Sequence, residues 1–262
     1  MNLDLNNRTL IEGNGLPLLL IHGAGGPKPI EPLRQGLANH YQVIAPTLLG
    51  YLPSDGRIHY SDQLFVDFIE AIRKHLQIEQ WMVVGVSLGG RIVLNYACQY
   101  QNHASHLVAI SAAGLNTIAP AKISFLHPVL LQLFAWILSN PKNLAMLGDE
   151  ELNDPNDPIV KASIEYMKQL LADPVMRMNF CETLLKTLVR NREWDVKLPT
   201  LKIPVCILWG DADRTCPVAG AYLLAKQIKQ SQLSILPGYG HMAMLKCSEI
   251  IVRHIIEFGN TI

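Results

Sequence analysis

The pentapeptide Gly85-Val86-Ser87-Leu88-Gly89 sets a serine between glycines where an apolar run gives way to a helical pattern. A serine at such a strand-to-helix turn projects its hydroxyl beyond the strand end. The turn is too tight for large neighbours, so glycines flank it. The helix that follows aims open N–H groups and a positive dipole end at the same place. The chemistry this permits is nucleophilic attack by Ser87. A serine hydroxyl is a poor nucleophile near neutral pH and needs a base.

Nine histidines compete for that part. His40, His59, His75, His103 and His106 stand in polar surroundings, His254 in a helical stretch and His127 in an apolar one. His241 differs, because it follows the last apolar run through Pro237-Gly238-Tyr239-Gly240. Loops at the carboxyl ends of parallel strands gather into one site, so His241 is the candidate base. An imidazole in that role needs a carboxylate to fix its tautomer. The loop Gly210-Asp211-Ala212-Asp213-Arg214 offers two, Asp211 and Asp213. The rival position, Ser111-Ala112-Ala113-Gly114, offers none.

An oxyanion would need backbone donors beside Ser87. Leu88 N–H is one. The run His22-Gly23-Ala24-Gly25-Gly26 supplies the other, with Ala24 the candidate. That run lacks the Gly-Lys-Ser/Thr ending of a phosphate-binding loop.

These residues need a frame. Apolar runs at residues 16–21, 41–45, 81–86, 107–110, 205–209 and 233–236 read as strands buried on both faces. Helical patterns at 63–76, 88–100, 219–228 and 248–258 alternate with them. The expectation is an α/β fold with a mostly parallel central sheet and helices on both faces. The alternation breaks between about residues 115 and 197. Helix-like runs there are separated by Asn140-Pro141, Gly148-Asp149, Asp154-Pro155, Asp157-Pro158 and Asp173-Pro174. This predicts a helical insertion at 115–196, with the core at 1–114 and 197–262.

Composition bounds the rest. Of 262 residues, 49% are hydrophobic and 17% charged, which is a core-forming chain. Lys+Arg and Asp+Glu both number 22, so no overall charge draws nucleic acid. Cys98, Cys181, Cys206, Cys216 and Cys247 are odd in number and form no CxxC pair, against a disulfide framework or a zinc site. Cys216 reads as a buried small hydrophobe. Reduced thiols and a polar start without a signal-peptide pattern point to the cytoplasm. The uncharged stretch between Lys122 and Lys142, with Phe125 and Leu126, is interrupted by His127, Pro128 and Gln132. It reads as an apolar helix over a pocket rather than a membrane span.

Together the elbow around Ser87, the strand ending in His22-Gly23, the Trp209-Gly210-x-x-Asp213-x-x-x-Pro217 pattern and Gly240-His241 resemble the α/β-hydrolase superfamily over nearly the whole chain. The resemblance implies Asp213 rather than Asp211 as the acid. It also implies a helical cap after the sixth strand, matching the insertion, and no cofactor or metal. Thr47 stands where relatives usually carry Asp, so the resemblance does not say how the loop before Tyr51 is held. Ser87 in place of an aspartate argues against epoxide opening and halide removal. Val86 replaces the Asn common before the serine in ring-cleavage carbon–carbon hydrolases, and Leu88 the Trp common after it in proline iminopeptidases.

Three functions follow. The leading one is a serine hydrolase that cleaves a carboxylic ester or related acyl bond of a small, hydrophobic substrate through an acyl-enzyme. Ser87-Leu88-Gly89-Gly90-Arg91 also resembles the pyruvate-eliminating lyase of the menaquinone pathway, with Arg91, Arg177, Arg190 and Arg192 as anion-binding candidates. The third is a non-catalytic ligand-binding protein on the same fold.

Overall fold

The structure, a computed structural model, describes residues 4–115, 120–140, 156–187 and 189–260, with 120–128 described as backbone only. The strands are β1 (Thr9–Glu12), β2 (Pro17–Ile21), β3 (Gln42–Pro46), β4 (Trp81–Val86), β5 (Ala104–Ile110), β6 (Val205–Gly210) and β7 (Ser231–Leu236). The helices, in chain order, are α1 (Leu5–Arg8), α2 (Glu31–Ala38), α3 (Asp62–His75), α4 (Leu88–Tyr100), α5 (Pro120–Leu138) and α6 (Pro158–Ala172). They continue as α7 (Pro174–Thr187), α8 (Trp194–Lys197), α9 (Ala219–Gln227), α10 (Ala243–Lys246) and α11 (Ser248–Gly259).

The strands form one sheet in the order β1-β3-β2-β4-β5-β6-β7. All neighbours are parallel except β1 and β3. Alternation along the strands explains the two-sided burial. Leu18, Leu20, Val84, Val86, Val108 and Leu208 join α2 and α11 in one core layer. Leu19, Ile21, Val83, Leu107, Ala109 and Ile207 join α3, α4 and α9 in the other. This is the α/β fold expected, and the six apolar runs are six of its seven strands.

The edge strand β1 was not among the expected elements. Its Leu10 and Ile11 are both exposed, so it carries no buried run for a sequence pattern to show. It is recruited by backbone pairing to β3 alone. Strand β5 also begins at Ala104, earlier than its apolar core.

Between β5 and β6 the described elements are α5, α6 and α7, then α8, with no long strand. Asp157 and Asp173 mark helix starts. Each carboxylate accepts two N–H bonds of the following helix, and Pro158 and Pro174 occupy the first turn, where a missing N–H costs nothing. Pro141, Lys142, Gly148, Asp149, Asp154 and Pro155 lie outside the described residues, as do the side chains of Lys122, Phe125, Leu126, His127 and Pro128. Among the described residues no helix is long and apolar enough to cross a membrane.

Candidate active site

Strands β2, β4, β6 and β7 deliver their carboxyl-terminal loops to one end of the sheet. Strand β4 lies mid-sheet between β2 and β5, so Ser87 emerges at the centre of that end. Its backbone is pulled into a left-handed conformation, φ +55° and ψ −112°, rare for a residue with a Cβ. Three backbone bonds hold it there. Ser87 N–H donates to Ile110 O at 2.8 Å, and Ser87 O accepts from Arg91 N–H at 3.1 Å and Ala113 N–H at 3.0 Å. The helix start must also pass close under β2. A Cβ on Gly89 would lie 2.2 Å from Ile21 O, which explains the second glycine of the elbow.

The structure brings Ser87, His241 and Asp213 into one line. His241 Nε2 is 3.0 Å from Ser87 Oγ, and His241 Nδ1 is 2.9 Å from Asp213 Oδ2. Asp213 is buried, and its other oxygen accepts the Cys216 N–H at 2.6 Å. Cys216 is buried as expected, and its carbonyl accepts Trp209 Nε1–H at 2.7 Å. The carboxylate is therefore fixed through the turn itself. Asp211 does a different job. Its Oδ1 accepts Gly238 N–H at 2.7 Å, and backbone bonds from Asp211 to Leu236 and from Ala212 to Tyr239 dock the two loops together.

The glycine loop lies beside the serine. A Cβ built on Gly23 would sit 3.2 Å from Ser87 Cβ. Within this loop His22 is fully buried, with Nδ1 2.7 Å from Gly23 O and Nε2 3.0 Å from the Leu48 nitrogen. An N–H can only donate, so Nε2 is the acceptor and Nδ1 carries the proton. Desolvation lowers the His22 pKa to about 4 against the bond to Gly23 O, with the Arg8 charge lowering it further. His22 is thus neutral at ordinary pH. Leu88 N–H belongs to the first turn of α4, whose N–H groups have no intrahelical acceptor.

Among the described residues, no other histidine side chain enters this line. His106 is buried against Phe258 rather than in polar surroundings, and desolvation lowers its pKa. His75 bonds Asn6, and His103 bonds Glu79 O. Among the described residues no group of three His, Cys, Asp or Glu side chains could hold a metal ion. None of the five cysteines is in a disulfide.

Sequence reasoning missed what holds the loop after β3, where Thr47 departs from the usual aspartate. Asp55 holds the loop instead. It accepts N–H bonds from Gly50 at 2.8 Å and Leu52 at 3.0 Å, and it pairs with the buried Arg8 at 2.9 Å. Arg8 also donates to Thr47 O and Leu48 O. Arg8 directly precedes β1, so the unforeseen strand delivers the cation. Only the Asp55 spacing within Pro53-Ser54-Asp55-Gly56 hinted at a turn there.

Arg91 is buried and its guanidinium is already paired within the protein. Its Nε and Nη2 form a fork on Asp62 at 2.7 and 2.8 Å, Nη1 donates to Val189 O, and the group lies over Trp194. Arg177 donates to Leu171 O and Arg190 pairs with Asp195.

A fold and a site of this kind define a class, and comparison with known proteins bears it out. Residues 17–246 match the family model described as the alpha/beta hydrolase fold. The chain belongs to the α/β-hydrolase family. It is 27% identical over 265 residues to a 2-hydroxymuconate semialdehyde hydrolase of Pseudomonas putida, covering 94% of this chain and 88% of that one. It is 24% identical over 259 residues to lipase 1 of Psychrobacter immobilis, covering 88% and 73%. The structure of a thermophilic esterase from Thermogutta terrifontis superposes with a TM-score of 0.77 at 21% identity, covering 95% and 91%. The two sequence relatives are hydrolases, which supports an enzyme.

Proposed function

We propose that this chain is a serine hydrolase of the carboxylesterase type, acting on an ester or related acyl bond through an acyl-enzyme. The observation that carries the proposal is the hydrogen-bonded line from Ser87 Oγ through His241 to Asp213, with both links between 2.9 and 3.0 Å. In the reading proposed, His241 Nε2 takes the Ser87 proton as Oγ attacks the substrate carbonyl. Ala24 N–H and Leu88 N–H hold the oxyanion. The tetrahedral intermediate collapses, the carbon–oxygen bond to the leaving group breaks, and His241 gives that alcohol its proton. Water then repeats the cycle on the acyl-Ser87 ester and releases the acid. Asp213 holds the Nδ1–H tautomer and stabilises the imidazolium. The segment 115–196 serves as the cap and favours a hydrophobic acyl or alcohol group. No metal or cofactor is needed for these steps. Five cysteines outside any disulfide fit a reducing compartment such as the cytoplasm.

The test is turnover of p-nitrophenyl esters of increasing acyl length, by the parent and by Ser87→Ala. The proposal expects a preference over acetate and loss of turnover in the variant. Equal rates in both proteins would overturn the nucleophile. The pyruvate-eliminating reading gains nothing from the site, because Arg91 is already committed to Asp62. A binding protein without catalysis would be indifferent to Ser87→Ala.

A further inference from the structure

The glycine loop owes its shape to the neighbouring loop 47–55, and one hydroxyl makes the last connection. Tyr51 is buried, and its O–H donates to Ala24 O at 3.0 Å. Its ring meets the His22 ring edge-on, with centroids 4.8 Å apart. A peptide unit is planar and trans, so fixing its C=O fixes the direction of its N–H. The Gly23–Ala24 unit is fixed through Gly23 O, which accepts from His22 Nδ1–H and from Gly26 N–H. The Ala24–Gly25 unit is fixed through Ala24 O, by Tyr51. Ala24 is therefore pinned on both sides. The bond on Ala24 O and the His22 bond on Gly23 O trace to loop 47–55, since Leu48 N–H sets the His22 ring, while Gly26 N–H closes the turn from within the glycine loop. Loop 47–55 is braced in turn by the Arg8–Asp55 pair.

We propose that Tyr51 is a positioning residue for catalysis: its hydroxyl, held on Ala24 O by the Arg8–Asp55 brace, keeps Ala24 N–H aimed for the oxyanion. The inference rests on the reading of Ala24 as an oxyanion donor. A preorganised donor is effective because it needs no reorientation as charge develops. Without the hydroxyl, the Ala24–Gly25 unit is free to turn, and Ala24 is left tethered through Gly23 O alone, so the position of its N–H must be ordered in each turnover. Burial raises the Tyr51 pKa, with the nearby Tyr166 hydroxyl adding to the effect, so the phenol keeps its proton and remains a donor.

The experiment compares Tyr51→Phe, which keeps the ring on His22, with the parent on a p-nitrophenyl ester. Rates are normalised to sites titrated to completion with a fluorophosphonate, so that misfolded protein does not count. The proposal expects kcat per labelled site to fall by about tenfold or more, with KM within about twofold. Affinity for a trifluoromethyl ketone, which mimics the tetrahedral intermediate, should fall by the same factor as kcat/KM. Asp55→Asn, which loosens the loop without touching the ring, should lower the same parameter. A kcat per labelled site within about twofold of the parent, or a kcat loss with unchanged ketone affinity, overturns the positioning role whatever happens to thermal stability. Ser87→Ala at parental turnover would instead overturn the reading of the site itself, so the two failures are distinct.

Discussion

The carboxyl end of the sheet and the insertion between β5 and β6 are built by different rules. At the sheet end, the functional groups sit in loops that follow strands and are fixed by hydrogen bonds. Ser87 has three backbone bonds, Asp213 is held through its own turn, and His22 is held at both ring nitrogens. The insertion packs apolar side chains such as Leu131, Leu171 and Phe180 onto the core and adds polar struts between single residues. Asn179 and Glu182 of α7 accept N–H bonds from Ile58 and Tyr60, and Glu182 also pairs with Arg57. Asp157 at the start of α6 pairs with Lys246 at 2.9 Å. Helix α5 leaves Val129, Leu133 and Trp136 exposed at 66, 50 and 73%. The lesson is a division of labour. In the function proposed, the sheet supplies rigidity for chemistry and the insertion a wall for selectivity.

That contrast can be broken most forcefully at the sheet end. Ser87→Ala or His241→Ala should lower kcat by about 10⁴–10⁶, measured on p-nitrophenyl esters. The two aspartates sharpen it next. Asp213→Asn should cost about 10⁴ in kcat by spoiling the tautomer, whereas Asp211→Asn should cost less than about tenfold. A reversed order would mean that the acid has been misplaced.

Smaller effects follow. His22 has a pKa lowered from 6.5 to about 4, so the folded state resists its protonation. The unfolded chain binds the proton first as pH falls below 6.5, so the stability from neutral His22 is complete above that pH and is lost toward pH 4. The loss should reach about 3 kcal/mol in denaturant titrations across that window. His22 resonances in NMR should stay neutral through it. Glu182→Ala should destabilise by about 2–3 kcal/mol, because the Tyr60 N–H loses its buried acceptor. Turnover of a small acetate ester should change little, since the struts do not touch the triad. Trp136→Gln on the exposed face should move stability by less than about 0.5 kcal/mol.

How much of this was readable in advance follows the same division. Apolar strands announce themselves, so six of the seven strands, the elbow at Ser87 and the loop at His241 could be placed from pattern. Asp211 and Asp213 could be separated only by a family resemblance, because two residues apart in one turn they look alike. Strand β1 was illegible, since an edge strand with Leu10 and Ile11 in water has no buried period. The Arg8–Asp55 brace and the Arg91–Asp62 fork were illegible too. Each joins residues 29 or more positions apart, and a charged residue in sequence looks solvated until its partner is seen.

The central claim is that His241 activates Ser87, and covalent labelling tests it most directly. The protein is treated with a fluorophosphonate and the modified peptide is mapped by mass spectrometry, in the parent and in His241→Ala. The account predicts rapid modification of Ser87 in the parent and near-complete loss in the variant. An unmodified Ser87 in the parent, or labelling at the parental rate without His241, would contradict it.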